Sequence, residues 1–181
     1  ASLRQAIALK PDLTQAHINL GSTLQKLGRL DEAQAALGQA ITLEPDNAKA
    51  KNNLGIALQE LGRIDEAEAS LRQAIALKSD YAEAHSNLGI TLQELGRLEE
   101  AEASYRQAIA LKSDYAKAYS NLGYILQKLG RLDEAEASLR QAIALKPDNA
   151  EAQNNLGITL RDLERLDESE ASYRQAIALK P

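Results

Sequence analysis

Residues 82–115 read AEAHSNLGITLQELGRLEEAEASYRQAIALKSDY, and this stretch decides the fold because it comes back. Its Asn87-Leu88-Gly89 recurs as Asn19-Leu20-Gly21, Asn53-Leu54-Gly55, Asn121-Leu122-Gly123 and Asn155-Leu156-Gly157, each step being 34 residues. On that frame the units run 14–47, 48–81, 82–115, 116–149 and 150–181. Residues 1–13 match the tail of a preceding unit, with Ser2 to Asp12 identical to Ser138 to Asp148. The whole of 1–181 reads as one array, without linker or low-complexity segment. A period of this length marks a supersecondary unit that must stack on its neighbours to bury an apolar face.

Each unit reads as two helices. In the quoted one, Ala84, Leu88, Thr91, Leu92 and Leu95 share one stripe. After Gly96-Arg97, a second stripe runs through Leu98, Ala101, Tyr105, Ala108 and Ile109. Both follow the 3.6 period of an amphipathic helix. Gly28, Gly62, Gly96 and Gly130 stand where a left-handed residue closes the first helix. Acids such as Asp65-Glu66 then open the second at its positive end. Lys10, Lys78, Lys112, Lys146 and Lys180 close it. Asp12…Gln15, Asp80…Glu83 and Asp148…Glu151 have capping-box spacing ahead of the first helix. Glycine inside a helix costs about 1 kcal/mol relative to alanine, so its return in the first helix of every unit implies close approach of the partner helix. Ala67, Ala101 and Ala135 are the expected small facing residues. The connections are too short for anything but antiparallel neighbours. The fold class is all-α, an α-solenoid of antiparallel helix pairs.

Composition narrows the function. The chain has 21 Lys+Arg against 26 Asp+Glu, a net charge of −5, with the signs interleaved. That pattern argues against a nucleic-acid or anionic-membrane partner. With no cysteine there is no disulfide framework and no thiolate metal site. No apolar run approaches the roughly 20 residues of a membrane helix. The start carries neither an initiator methionine nor a signal-like segment, which reads as an excerpt of a longer chain. The compartment stays open, with the cytoplasm favoured.

These residues resemble the tetratricopeptide repeat family over essentially all 181 positions. The matching features are the Leu-Gly pair, the alanine opening the second stripe, the Ala-Ile pair near its end and the closing Pro-Asp. The resemblance implies a right-handed superhelix with a concave groove that binds protein or peptide. Departures are local. The usual first-helix aromatic is His17, Lys51, His85, Tyr119 and Gln153, and the central tyrosine is always leucine. The closing proline is kept at Pro11, Pro45, Pro147 and Pro181 but is Ser79 and Ser113 in the middle. Glu164 replaces the loop glycine and Ser169 the small alanine, so the fifth turn is expected to be less regular. Within the family, the pattern is most similar to the repeats of O-GlcNAc transferase and to long bacterial arrays. In the transferase the matching asparagines form a ladder along the groove and hydrogen-bond the backbone of extended peptides.

The residues make their own case for such a ladder. At 100° per residue, Glu83, Asn87, Ile90 and Glu94 lie on a stripe separate from the packing residues. Stacked units would align Asn19, Asn53, Asn87, Asn121 and Asn155, beside Ser22, Ile56, Ile90, Tyr124 and Ile158. Asparagine is roughly 0.7 kcal/mol worse than alanine in a helix, so propensity does not explain five of them. A carboxamide offers donor and acceptor together, matching the C=O and N–H of an extended peptide. Three readings fit: contact with a bound peptide, bonding between neighbouring units, or simple inheritance through duplication. The aliphatic row fits either a ligand groove or packing against the adjacent helix. Lys49, Glu83 and Lys117 sit at one end of the stripe, where Gln15 and Glu151 complete the series. Lys26, Glu60, Glu94, Lys128 and Asp162 form the other end. The alternating charge at both ends of the stripe lacks the Lys, Arg and Asn cluster of a carboxylate-gripping chaperone clamp, so a chaperone-tail clamp is not expected.

Other chemistry is poorly supported. His17 and His85 lie two units apart, too far to share a metal with helices packing about 8–10 Å apart. Glu68–Arg72, Glu102–Arg106, Glu136–Arg140 and Glu170–Arg174 are i,i+4 pairs worth about 0.2–0.5 kcal/mol each, expected on a solvated face. No phosphate loop, nucleophile–base set or metal spacing is present, so no catalysis, cofactor or metal is expected. The expected function is a protein-interaction scaffold binding an extended peptide through the asparagine ladder. Two alternatives stand beside it. One is a self-assembling array, a homo-oligomer stacked end to end through Leu3, Ile7, Tyr173 and Ile177. The other is the substrate-recruiting arm of a larger enzyme such as a glycosyltransferase.

Overall fold

The structure, a computed structural model, describes residues 13–179. Its described residues form ten α-helices and no strand. They are α1 Thr14–Lys26, α2 Leu30–Leu43, α3 Ala48–Glu60, α4 Ile64–Leu77, α5 Ala82–Glu94, α6 Leu98–Leu111, α7 Ala116–Lys128, α8 Leu132–Leu145, α9 Ala150–Asp162 and α10 Leu166–Leu179. The chain divides into two compact units, 1–95 and 96–181. In the first, α1 pairs with α2 and α3 with α4, while α3 and α5 pack onto the preceding pairs. In the second, α6 packs on α7, α7 pairs with α8, and α9 with α10. Each unit is a helical solenoid, odd-numbered helices packing on one another in the first and α7 on α9 in the second.

The turns inside each pair follow the sequence closely. Gly28, Gly62, Gly96 and Gly130 all adopt φ between +69° and +75°, a conformation that costs a residue with a Cβ roughly 1–2 kcal/mol. At the first turn, Gly28 N–H donates to the Gln25 carbonyl and Arg29 N–H to the Leu24 carbonyl, both at 2.9 Å. These bonds satisfy carbonyls that the helix end leaves open. Glu164 takes φ +62° and makes the same pair of bonds, Glu164 N–H to Arg161 and Arg165 N–H to Leu160, both at 2.9 Å. The fifth turn is therefore as regular as the others, against the sequence expectation, and glutamate bears the backbone strain. Ser169 fits its place too, since its hydroxyl donates to the buried Gly157 carbonyl at 2.7 Å.

Helix starts differ from the expected capping boxes. The capping position is the residue after Asp80 and Asp148, not the aspartate itself. Asn149 Oδ1 accepts from Ala152 N–H at 3.1 Å, and Asn47 Oδ1 from Ala50 N–H at 2.9 Å. Tyr81 and Tyr115 hold the same place with no side-chain cap. Asp12 lies outside the described residues.

The core runs through consecutive helices. Ile18, Ala40 and Ala50 cluster across α1, α2 and α3. Leu139, Ala142, Ala152, Leu156 and Leu160 do so across α8 and α9, with Tyr119 of α7 against them. Close approach at the first-helix glycine is present, but the facing side chain is not the alanine expected. A Cβ at Gly55 would stand 2.6 Å from Leu71 Cγ, and one at Gly123 would stand 2.5 Å from Leu139 Cγ. Ala67 and Ala135 contribute their backbone carbonyls, at 3.3 and 3.2 Å. Leu71 and Leu139 are fully buried, each contributing about 1.5–3 kcal/mol of apolar burial. The glycine leaves room for a large side chain, not a small one.

Candidate functional site

The packing stripe of the first helices is buried, as Ala84, Leu88 and Leu92 show in α5. That orientation turns the second stripe outward, with Glu83 and Glu94 exposed and Asn87 and Ile90 half-buried. Within the first unit α1, α3 and α5 present Asn19, Asn53 and Asn87; within the second α7 and α9 present Asn121 and Asn155. Asn19 is exposed, Asn53, Asn87 and Asn121 are half-buried, and Asn155 is 8% exposed. Ile56, Ile90, Tyr124 and Ile158 are all half-buried beside them, and Lys49, Glu83 and Lys117 are exposed.

In the first unit the carboxamides form a relay from helix to helix. Asn87 Nδ2 donates to Asn52 Oδ1 at 3.0 Å, Asn52 Nδ2 to Asn53 Oδ1 at 3.2 Å, and Asn53 Nδ2 to Ser22 Oγ at 3.0 Å. Asn19 Oδ1 accepts from Gln15 Nε2 at 2.8 Å. Gln25 Nε2 adds a bond to the Asn53 carbonyl at 3.2 Å, and Gln59 Nε2 one to Glu94 at 2.6 Å. Each amide has two N–H donors and two acceptor lone pairs, so the one bond of Asn19 and Asn87 and the two of Asn53 do not exhaust them. Asn52 is the member that sequence reasoning missed. The signal was present: Ile18, Ser86, Ser120 and Asn154 hold the same place in the other units, on the edge next to the asparagine row.

The second unit is different. Neither the Asn121 nor the Asn155 carboxamide bonds a described residue. Ser120 Oγ is buried without a partner, and so is Ser86 Oγ in the first unit. Lys128 Nζ lies 5.3 Å from the Tyr124 ring centroid. A cavity of about 220 Å³ opens between Lys117, Ser120, Asn121, Lys146, Asn149 and Glu151.

The i,i+4 acid–base pairs form; Glu170–Arg174 is solvated as expected, whereas in the other three pairs an exposed arginine covers a largely shielded glutamate. The Glu102 side chain is 9% exposed, and Arg131 reaches both its oxygens at 2.7 and 2.8 Å from the next repeat. Arg131 also bonds Glu134, which Arg106 reaches at 2.9 Å. Arg165, Glu136, Glu168 and Arg140 repeat the arrangement. The Arg131 hydrogen bond holds the Glu134 carboxyl below its ordinary value, and Arg165 does the same to Glu168. Linear reading pairs charges within one helix; these meet across helices 29 residues apart.

His85 Nε2 lies 3.0 Å from the Ser79 carbonyl, and His17 is buried at the edge of α1. Among the described residues no cluster of three His, Cys, Asp or Glu could hold a metal ion. No described helix is long and apolar enough to cross a membrane.

The fold has counterparts in solved structures. MamA is 26% identical, covering 88% of this chain and 94% of its own, with a TM-score of 0.79. TTC0263, a thermophilic TPR protein of Thermus thermophilus, is 28% identical, covering 93% and 92%, with a TM-score of 0.75. YrrB, a TPR protein described as having an unusual peptide-binding site, is 23% identical, covering 100% and 93%, with a TM-score of 0.76. At that identity the YrrB likeness concerns the fold alone. No curated protein matches the chain. The tetratricopeptide repeat pattern matches at residues 12–80, 46–114 and 114–181. With that pattern running through both units, the chain belongs to the tetratricopeptide repeat family.

Proposed function

We propose that the outward edge of the first helices takes an extended peptide segment of a partner protein, carboxamide to peptide backbone. Repeats of this family are generally non-enzymatic scaffolds for protein or peptide partners, and the reading gives that role a chemistry. The observation that carries it is Asn121, a half-buried carboxamide on α7 bonded to no described residue. A group of this kind, a poor helix former held at a surface edge, is matched to a ligand that brings its own N–H and C=O. Asn19, Asn53, Asn87 and Asn155 extend the row. Ile56, Ile90, Tyr124 and Ile158 offer apolar contact beside it, and Lys49, Glu83 and Lys117 set charge at its end. The relay through Asn52 supports the reading, because amides already held in one rotamer lose less entropy on binding.

The test is selection of extended peptides from a random decapeptide display library on the full chain. Asn121→Ala with Asn155→Ala should weaken a selected peptide about tenfold, as a few lost hydrogen bonds of about 0.5–1.5 kcal/mol would, with an unchanged melting temperature. Asn53→Ala with Asn87→Ala should lower binding and melting together, since those amides also stitch helices. Selection of no extended peptide, or full binding by the Asn121/Asn155 variant, overturns the proposal.

A second reading rests on α10. Ile143 packs against the α8–α9 cluster, whereas its counterpart Ile177 is 68% exposed and Leu166 is 64% exposed. The face that α9 covers on α8 has no cover on α10 among the described residues. The helix that fits it carries the Ala152, Leu156, Leu160 pattern, which this chain repeats in every unit. A second copy of this chain carries such a helix and is the occupant this reading assigns. Sedimentation should show concentration-dependent association that Ile177→Lys removes; a monomer at every concentration eliminates this reading.

A further inference from the structure

The cavity in the second unit lies between the start of α7, the connection 146–149 and the start of α9. Its lining is rich in donors. Lys117 and Lys146 are exposed and form no ion pair with a described residue. Asn121 has an uncommitted carboxamide. Asn149 commits its Oδ1 to Ala152 N–H at 3.1 Å, which leaves its amide N–H groups for the cavity. Ser120 is 3% exposed, and its hydroxyl has no partner. Against these donors Glu151 supplies the one carboxylate, so two ammonium groups and one acid leave a net positive charge.

Such a lining is short of acceptors. Buried hydroxyls without a partner are uncommon in native proteins, and two ammonium groups facing one space repel each other. An entering anion relieves the second and supplies acceptors for the rest. The volume, about 220 Å³, equals roughly seven waters at about 30 Å³ each, enough for a carboxylate and part of its hydration.

The other described repeats do not build this site. Repeat 48–81 has lysines at the same two places, Lys49 and Lys78, but Tyr81 replaces the asparagine. There Lys78 Nζ lies 5.3 Å from the Tyr81 ring centroid, so the ammonium already has a partner. Repeat 82–115 has Glu83 in the first place, and repeat 14–47 has Gln15 and Glu44. Only 116–149 combines two lysines with an asparagine that leaves them unstacked.

We propose that this cavity receives the carboxylate of an Asp or Glu side chain in the extended segment bound along α7 and α9. The inference rests on the peptide-binding reading above and adds the partner's charge: an acidic peptide. It is tested on the full chain with two capped, fluorescein-labelled decapeptides of Ala, Ser and Thr, one carrying a central Glu and the other the isosteric Gln. Binding is followed by anisotropy and by amide NMR shifts up to millimolar peptide. The Glu peptide should bind about fivefold more tightly, the size of one or two partly exposed ion pairs, with shifts centred on Lys117, Asn121 and Lys146. That ratio should fall to one in Lys117→Gln with Lys146→Gln, and in wild type as salt screens the charges. Equal affinities for the two peptides overturn the acidic pocket while leaving the backbone grip standing. Binding of neither peptide overturns both.

Discussion

The same chemical change, glycine to alanine inside a helix, should have opposite signs at Gly38 and Gly123. Gly38 lies within α2 where the other repeats carry arginine, and a Cβ there meets nothing within 4 Å. Alanine then gains only helix propensity, about 0.5–1 kcal/mol. Gly123 lies within α7, and a Cβ would stand 2.5 Å from Leu139 Cγ, 2.9 Å from its Cδ2 and 3.2 Å from the Ala135 carbonyl oxygen. Cγ is the branch point of a fully buried side chain and the carbonyl is backbone, so neither can swing aside. Helix α8 has to move away by several tenths of an ångström. Overpacking of this kind costs about 1–3 kcal/mol. With two immovable contacts we take the upper end; subtracting the propensity gain leaves about 2 kcal/mol of destabilisation. For a chain of this length 1 kcal/mol shifts the melting temperature by about 2–4 °C. Gly38→Ala should therefore melt about 2–3 °C higher and Gly123→Ala about 4–8 °C lower, by calorimetry and by urea midpoint at constant slope. A Gly123→Ala protein as stable as wild type would refute the claim that glycine exists there to seat Leu139.

Two further outcomes follow from the turns and the charges. Glu164→Gly should raise stability by about 1 kcal/mol, the cost of holding a residue with a Cβ at positive φ; an unchanged urea midpoint would show that the glutamate is not strained. The Glu134 and Glu168 carboxyls, held below their ordinary 4.5 by arginine hydrogen bonds, stabilise the fold above that value. Their contribution is lost as pH falls below it through the lower folded values. Urea midpoints measured from about pH 6 down to about pH 2.5 should fall more gently in Glu134→Gln with Glu168→Gln; the wild-type acid slope in that variant would remove the coupling.

Most of the fold is legible because it is written in local rules repeated five times. The 3.6-residue stripes, the positive-φ glycines and the burial of Ala101, Tyr105 and Ala108 all depend on residues a turn or two apart. Errors begin where two helices meet. The partner of Gly55 is Leu71 and not Ala67 because the crossing geometry, not the stripe, decides which side chain sits over the gap. The capping position lies one residue past the aspartate whether Asn47 or Asn149 caps there or Tyr81 and Tyr115 do not, so the connection between repeats sets it and not the capping chemistry that the aspartates advertise. The Arg131–Glu102 contact spans 29 residues, and nothing in one helix announces it. The candidate site is half legible for the same reason: periodicity puts five asparagines in a row, but which carboxamide bonds which neighbour depends on the adjoining repeat.

That dependence separates the repeats in chemistry although they share a backbone. Asn53 bonds Ser22 because serine stands there; Ile56, Ile90, Tyr124 and Ile158 hold the equivalent place elsewhere and offer no such acceptor at that distance. Asn87 finds Asn52 instead. For Asn155 the corresponding neighbours are Ser120 and Tyr124, and it bonds neither. The asparagine recurs in every repeat, and the identity of its neighbours decides whether it stitches two helices together or keeps its hydrogen-bonding capacity. Asn121 and Asn155 are on the second side of that division, and Asn121 shares its cavity with the unstacked Lys146. In a chain of near-identical repeats, selectivity can arise only where the copies differ.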